Sequence, residues 1–236
     1  MRAAKGLLAW AGLDASDATA FGLGLGFAVS IERGKLSDCL PEQFLITNAA
    51  RSLGLECEEF GTVSREKALE YLRDRLGRGT PLAGRLRGEM TLLTRAEENA
   101  VIAGERRITW EELMEGLFAG EGPVKAFLYT YRKTKHFPPL GIAVKKSLSE
   151  MARRFLFPDK PTRGIKAAGN LSGEEEIEWA HEPALGHRLL ADFLEEWGHG
   201  EEAGFFRMVA EKLDAASARE AGSLIAEEKS VFSRFL

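Results

Sequence analysis

The sequence predicts an α+β fold: a mixed helix and antiparallel-sheet domain over residues 1–135, followed by a helical domain over residues 136–236. Three observations lead to it. Strand-length apolar runs and one alternating segment are confined to the N-terminal part. Beyond Pro138-Pro139 the apolar residues recur almost only at helical spacing. Of 236 residues, 44% are hydrophobic and 29% charged, enough apolar material for a sizeable core and too much for a disordered chain.

Taken in order, LLAWAGL reads as the end of a short helix closed by Gly12, because a glycine readily takes the left-handed turn that stops a helix. Asp14 or Ser16 can cap the next turn. Gly22, Gly24 and Gly26 precede an apolar, strand-length run, Phe27 to Ile31. Glycines at alternate positions let one backbone approach another closely. Residues 42–53 read as a helix ending at Gly54, and Glu56 to Phe60 as a short strand. Ser64 stands at an N-cap position before Leu69, Leu72 and Leu76, an amphipathic helix with arginines in its last turn and Gly77 after it. GTPLAGRL leaves a loop for a strand. Met90–Thr94 and Asn99–Ala103 form a hairpin whose second arm Arg106–Ile108 extends. Thr109 and Glu112 have capping-box spacing ahead of Leu113 and Leu117. Residues 124–131 alternate between two faces, which marks a strand. In the C-terminal part, Val144, Leu148, Met151 and Phe155 form one helical stripe. Leu185, Leu189 and Phe193 form a second, and Phe206, Val209, Leu213 and Ala216 a third.

Composition narrows the function. No stretch nears the roughly 20 apolar residues that a membrane span needs, and the first residues lack the apolar core and cleavage site of a signal peptide. We therefore expect a cytoplasmic protein, beginning as mature chain. With 32 basic and 36 acidic side chains, nucleic-acid binding is disfavoured. Two cysteines, Cys39 and Cys57, make no disulfide framework.

The order of signals carries a resemblance. LLAWAG, the Asp17 turn, GLGLGF with its apolar strand, the leucine-rich helix after Ser64 and the phrase GRGTPLAGRL resemble the N-terminal domain of the butirosin biosynthesis protein H-like family. Those proteins are cysteine acyltransferases or peptidase-like relatives of the papain-like, NlpC-type fold. SEMARRFL, TRGIKAAGNL and GFFRMVAEKLDAA resemble the helical domain of unknown function that often follows. The resemblance implies a papain-like domain, with a nucleophilic Cys near the start of the first helix and a His on the strand after the GTPLAGRL turn. Here Met1, Arg2, Ala3 and Ala4 stand at the first place, Glu89 and its neighbours at the second, and no His precedes His136. Thiol catalysis needs a thiolate beside a base. The resemblance therefore implies a catalytically degenerate relative, a binding or scaffold protein of unknown ligand. The alternative is an active acyl or amide transferase, acting on a carrier-protein thioester or peptide through Cys39 or a Cys upstream of Met1.

Few other residues carry a chemical signal. Cys39, in LSDCLPE, reads as a polar-loop residue before a helix, a setting that lowers a thiol pKa, although no His is near it in sequence. Cys57 has acidic neighbours, which raise a thiol pKa. His181 and His187 in HEPALGH are six apart with Pro183 between them. That breaks the spacing of a helical zinc pair, so no metal and no cofactor is expected. With His199 they are expected at solvated helix ends, and His136 in the junction loop. The glycine run precedes a strand instead of following one, which argues against a dinucleotide site. Arg132 to Lys166 holds ten Lys or Arg and two acids, whereas residues 174–202 hold ten acids and one base. The two runs either face each other, are solvated, or offer a basic docking face to an acidic carrier protein or peptide. Phe205, Phe206, Phe232 and Phe235 belong to the core or to a homodimer seam.

Overall fold

The strand expected over 124–131 runs from Ala126 to Tyr131 and is paired on both edges within a six-stranded sheet. The computed structural model describes residues 1–120, 123–132 and 136–236. The sheet consists of β3 (Cys57–Thr62), β4 (Leu82–Leu86), β5 (Glu89–Ala96), β6 (Ala100–Ala103), β7 (Arg106–Thr109) and β8 (Ala126–Tyr131), in the spatial order β3-β8-β4-β5-β6-β7. Every neighbouring pair is antiparallel. Alternation along each strand then separates two cores. Leu82, Leu93, Ala126 and Leu128 face one side, where they meet Ala68, Leu72 and Leu76 of α4 (Arg65–Gly77) and Leu113 and Leu117 of α5 (Trp110–Phe118). Ala83, Tyr129 and Tyr131 face the other, toward α1 (Arg2–Ala11), α2 (Asp17–Leu23) and α3 (Glu42–Leu53). The buried Tyr131 hydroxyl donates to the carbonyl of Ile46 at 2.6 Å and ties sheet to helix.

The expected helices and caps are in place. Gly12 closes α1 with φ 106°, Ser16 caps α2, Ser64 caps α4, and Thr109 with Glu112 forms a capping box on α5. Gly77 is the last residue of α4, not the one after it. The glycine run has a steric reason. A Cβ on Gly22 would lie 2.3 Å from the Phe193 ring, and one on Gly24 would lie 2.9 Å from the Leu45 backbone. Arg106–Ile108 does not extend the second hairpin arm. The chain reverses at Gly104, where φ is +60°, and β7 returns antiparallel to β6.

The C-terminal helices are α6 (Leu140–Leu156), α7 (Gly164–Ala168), α8 (Leu185–Glu196), α9 (Gly200–Leu213) and α10 (Ala218–Phe232), with a last 3-10 turn over Ser233–Phe235. A two-stranded hairpin from the N-terminal part, β1 (Phe27–Glu32) with β2 (Lys35–Cys39), packs among them. Ile31 donates to the carbonyl of Thr162 on one edge. On the other edge Leu36 bonds with Glu178 and Ala180. Phe27 joins Phe155, Phe206 and Phe232 in one aromatic group, and the larger core draws side chains from both sides of residue 135. Phe206 and Phe232 are buried, while Phe205 and Phe235 are partly so. No helix among the described residues is long and apolar enough to cross a membrane.

Candidate functional site

Cys39 is not in a loop. It is the last residue of β2, and this strand carries four consecutive side chains around which the site is built, Leu36 to Cys39. Leu36 is core. Asp38 points into the protein toward the start of α8, where Ala184 stands at the N-cap position and supplies no side-chain cap. Asp38 supplies that cap from another element. Its Oδ2 accepts the backbone N–H of His187 at 3.0 Å, placing an anion at the positive end of a 12-residue helix. Gly186 makes room, since an added Cβ would lie 2.1 Å from the Asp38 carbonyl oxygen.

His187 is wholly buried, which corrects its expected place at a solvated helix end. Its Nδ1 donates to Asp38 Oδ2 at 2.7 Å and its Nε2 to Glu228 Oε1 at 2.7 Å. Burial alone would drive the imidazole toward neutrality. The Glu228 carboxylate and the Asp38 hydrogen bond outweigh it and raise the pKa to about 10, so the ring is an imidazolium at neutral pH. Burial also pushes Asp38 up, but the His187 hydrogen bond and charge prevail and hold its carboxyl low. Glu228 goes the other way: burial raises it against the pull of His187. Glu228 Oε2 is buried with no hydrogen-bond partner among the described residues. The edge of the imidazolium meets the Phe27 ring at 4.9 Å between centroids.

A second, half-buried group adjoins this array. The bonds from Leu36 to Glu178 and Ala180 hold the chain before α8 alongside β2 and bring His181 over its end. His181 Nε2 lies 2.9 Å from Ser37 Oγ and 3.6 Å from Asp38 Oδ1, and Cys39 Sγ lies 3.6 Å from the same Oδ1. His181 Nδ1 contacts the Glu182 carbonyl at 3.0 Å. The Cys39 thiol is far from activated. Burial and the Asp38 carboxylate push its pKa well above the usual range. Burial and Glu59 and Glu58 push Cys57 up to about 12.

The remaining sequence candidates are scattered. Glu89 is an exposed residue at the start of β5, His136 is exposed before α6, and His199 stands at the N-cap position of α9 with Phe235 against its ring. Of the basic run, Lys133, Thr134 and Lys135 lie outside the described residues. Among the described residues, the ion pairs of the acidic run reach Lys35, Arg188, Arg207, Arg219 and Arg234, all outside the basic run. Sequence reading missed Asp38, Glu228 and Ser37. Asp38 and His187 are 149 positions apart, so spacing offered no signal. The one available signal was a histidine on the otherwise apolar stripe of α8. Comparison with family models, curated proteins and solved structures gives no match for this chain.

Proposed function

We propose that the protein is a binding or scaffold protein on a papain-like frame that has lost its thiol chemistry. The observation that carries this reading is the state of the two thiols: both are held protonated by burial and by carboxylates, and the His181 imidazole within reach of Cys39 places its Nε2 2.9 Å from Ser37 Oγ. The frame itself supports the resemblance. The first helix lies on an antiparallel sheet, with Gly6 against Leu92 of β5, and the sheet is backed by further helices. The place where the family carries its nucleophile is chemically unsuited to a thiolate. The Ala3 and Ala4 amides at the start of α1 donate to Glu42 Oε1 at 3.0 and 3.3 Å, so a carboxylate already occupies the positive end of that helix. The outer side of α6 exposes Lys145, Lys146 and Arg153, a surface suited to an acidic carrier protein or peptide.

The test is an acyl-transfer assay. Purified full-length chain is incubated with an acyl thioester and with a peptide ester, and hydrolysis and acyl-protein adducts are followed by mass spectrometry. No turnover above the protein-free rate is expected. Turnover or an adduct that Cys39→Ala abolishes would establish the competing reading, an active transferase.

A further inference from the structure

Asp38 divides its two carboxylate oxygens between different tasks. Oδ2 takes both the His187 backbone N–H and the ring Nδ1. Oδ1 faces the half-buried side, where Cys39 Sγ and His181 Nε2 each lie 3.6 Å away. One sulfur, one imidazole nitrogen and one carboxylate oxygen thus sit within 4.8 Å of one another. Zinc bonds of about 2.3 Å to sulfur and about 2.0–2.2 Å to nitrogen or oxygen, at tetrahedral angles, set ligand atoms about 3.3–3.7 Å apart. The two 3.6 Å spacings to Oδ1 already fall in that range.

The outer contacts match the same use. The Glu182 carbonyl against His181 Nδ1 orients the ring so that Nε2 faces Ser37 and Asp38, while the Ser37 hydroxyl donates to the Cys39 carbonyl at 3.0 Å. Asp38 is fixed through Oδ2 by the buried His187 ring and a helix terminus, so Oδ1 is held without further ordering. A carboxylate alone would suit a hard cation, but a thiol in the set selects a zinc-class ion over calcium or magnesium.

We propose that Asp38, Cys39 and His181 form a three-residue site for a zinc-class divalent cation, with the fourth position open to water or to a small anionic or thiol ligand. Binding forms the metal–Sγ bond as the Cys39 thiol proton leaves to solvent, and Ser37 exchanges its contact with Nε2 for one with the open-position ligand. This site is independent of the binding or scaffold reading, which rests on the absence of an activated thiol.

The experiment uses the full chain, stripped with a chelator and titrated with Co²⁺, then Zn²⁺. One equivalent of cobalt should produce a near-ultraviolet thiolate-to-metal band that zinc removes. Cys39→Ser should abolish the band while Cys57→Ser leaves it intact. His181→Gln should weaken binding by more than the roughly 10–100-fold that loss of an outer contact costs. Absence of a band in the unsubstituted chain, or a band that survives Cys39→Ser, overturns the site. X-ray absorption of the zinc-loaded unsubstituted protein needs no variant. One sulfur among nitrogen and oxygen neighbours supports the site, and a sulfur-free shell refutes it.

Discussion

His187 holds a positive charge where no water reaches it, and two carboxylates are the reason. Removing one partner of a buried ion pair strands the other charges, at a cost of about 3–5 kcal/mol. His187→Ala should lower stability by that amount in urea denaturation with a chelator present. Glu228→Gln should cost less, because a neutral amide still accepts from Nε2 and no longer buries a charge. The pH dependence has a definite sign. The His187 pKa is raised from 6.5 to about 10, so its contribution is complete below the ordinary value and is lost as pH rises through about 10. Asp38, held low, contributes above its ordinary 3.8 and loses that contribution as pH falls through its folded value. Urea midpoints measured from pH 6 to 10.5 should therefore decline at the alkaline end, and His187→Gln should flatten that decline. A midpoint that is unchanged across the alkaline range in the parent protein would show a neutral imidazole.

At the scale of elements, α8 is the segment that the site depends on, and it is capped across space. Gly186→Ala would push a methyl group into the Asp38 backbone, and overpacking of this kind costs about 1–3 kcal/mol. The same change at exposed Gly204 in α9, where a Cβ meets nothing within 4 Å, should leave the denaturation midpoint unchanged or raised. Thr109→Ala removes a local cap and should cost about 0.5–2 kcal/mol, read in the same experiment. These contrasts show what was legible beforehand. Ser64 and the Thr109–Glu112 box are visible in sequence because cap and helix are adjacent, and the Gly12 stop is visible for the same reason. The Asp38 cap is not, since its acceptor and donor come from β2 and α8. β2 itself was unreadable. Lys-Leu-Ser-Asp-Cys contains none of the β-branched or aromatic residues that favour strands, and its pairing with β1 and with Glu178 to Ala180 supplies what its composition lacks. His187 was misplaced because a lone histidine next to Arg188 reads as surface until its two carboxylates are brought to it.

For the whole molecule, the sheet separates two apolar cores that share its strands. Leu72→Ala in the smaller core should cost about 2–5 kcal/mol, and Phe206→Ala in the larger about 3–5. Both effects should appear in calorimetry as lower transition temperatures. The α+β class and most strands and helices could be read from periodicity, since each apolar stripe found its core. The passage of the β1–β2 hairpin into the C-terminal helices could not, because periodicity assigns faces to elements and not elements to one another. That passage is what puts Ser37, Asp38 and Cys39 beside His181 and His187. The central claim is that this frame holds no activated thiol. Its most direct test is the alkylation rate of each cysteine, mapped by mass spectrometry in the chelator-treated protein as a function of pH. Both should react more slowly at pH 7 than a free cysteine peptide, with the Cys57 rate still climbing beyond pH 10, as a pKa of about 12 requires. A cysteine that reacts faster than the free peptide at pH 7, with its rate levelling off below pH 8, would contradict the account.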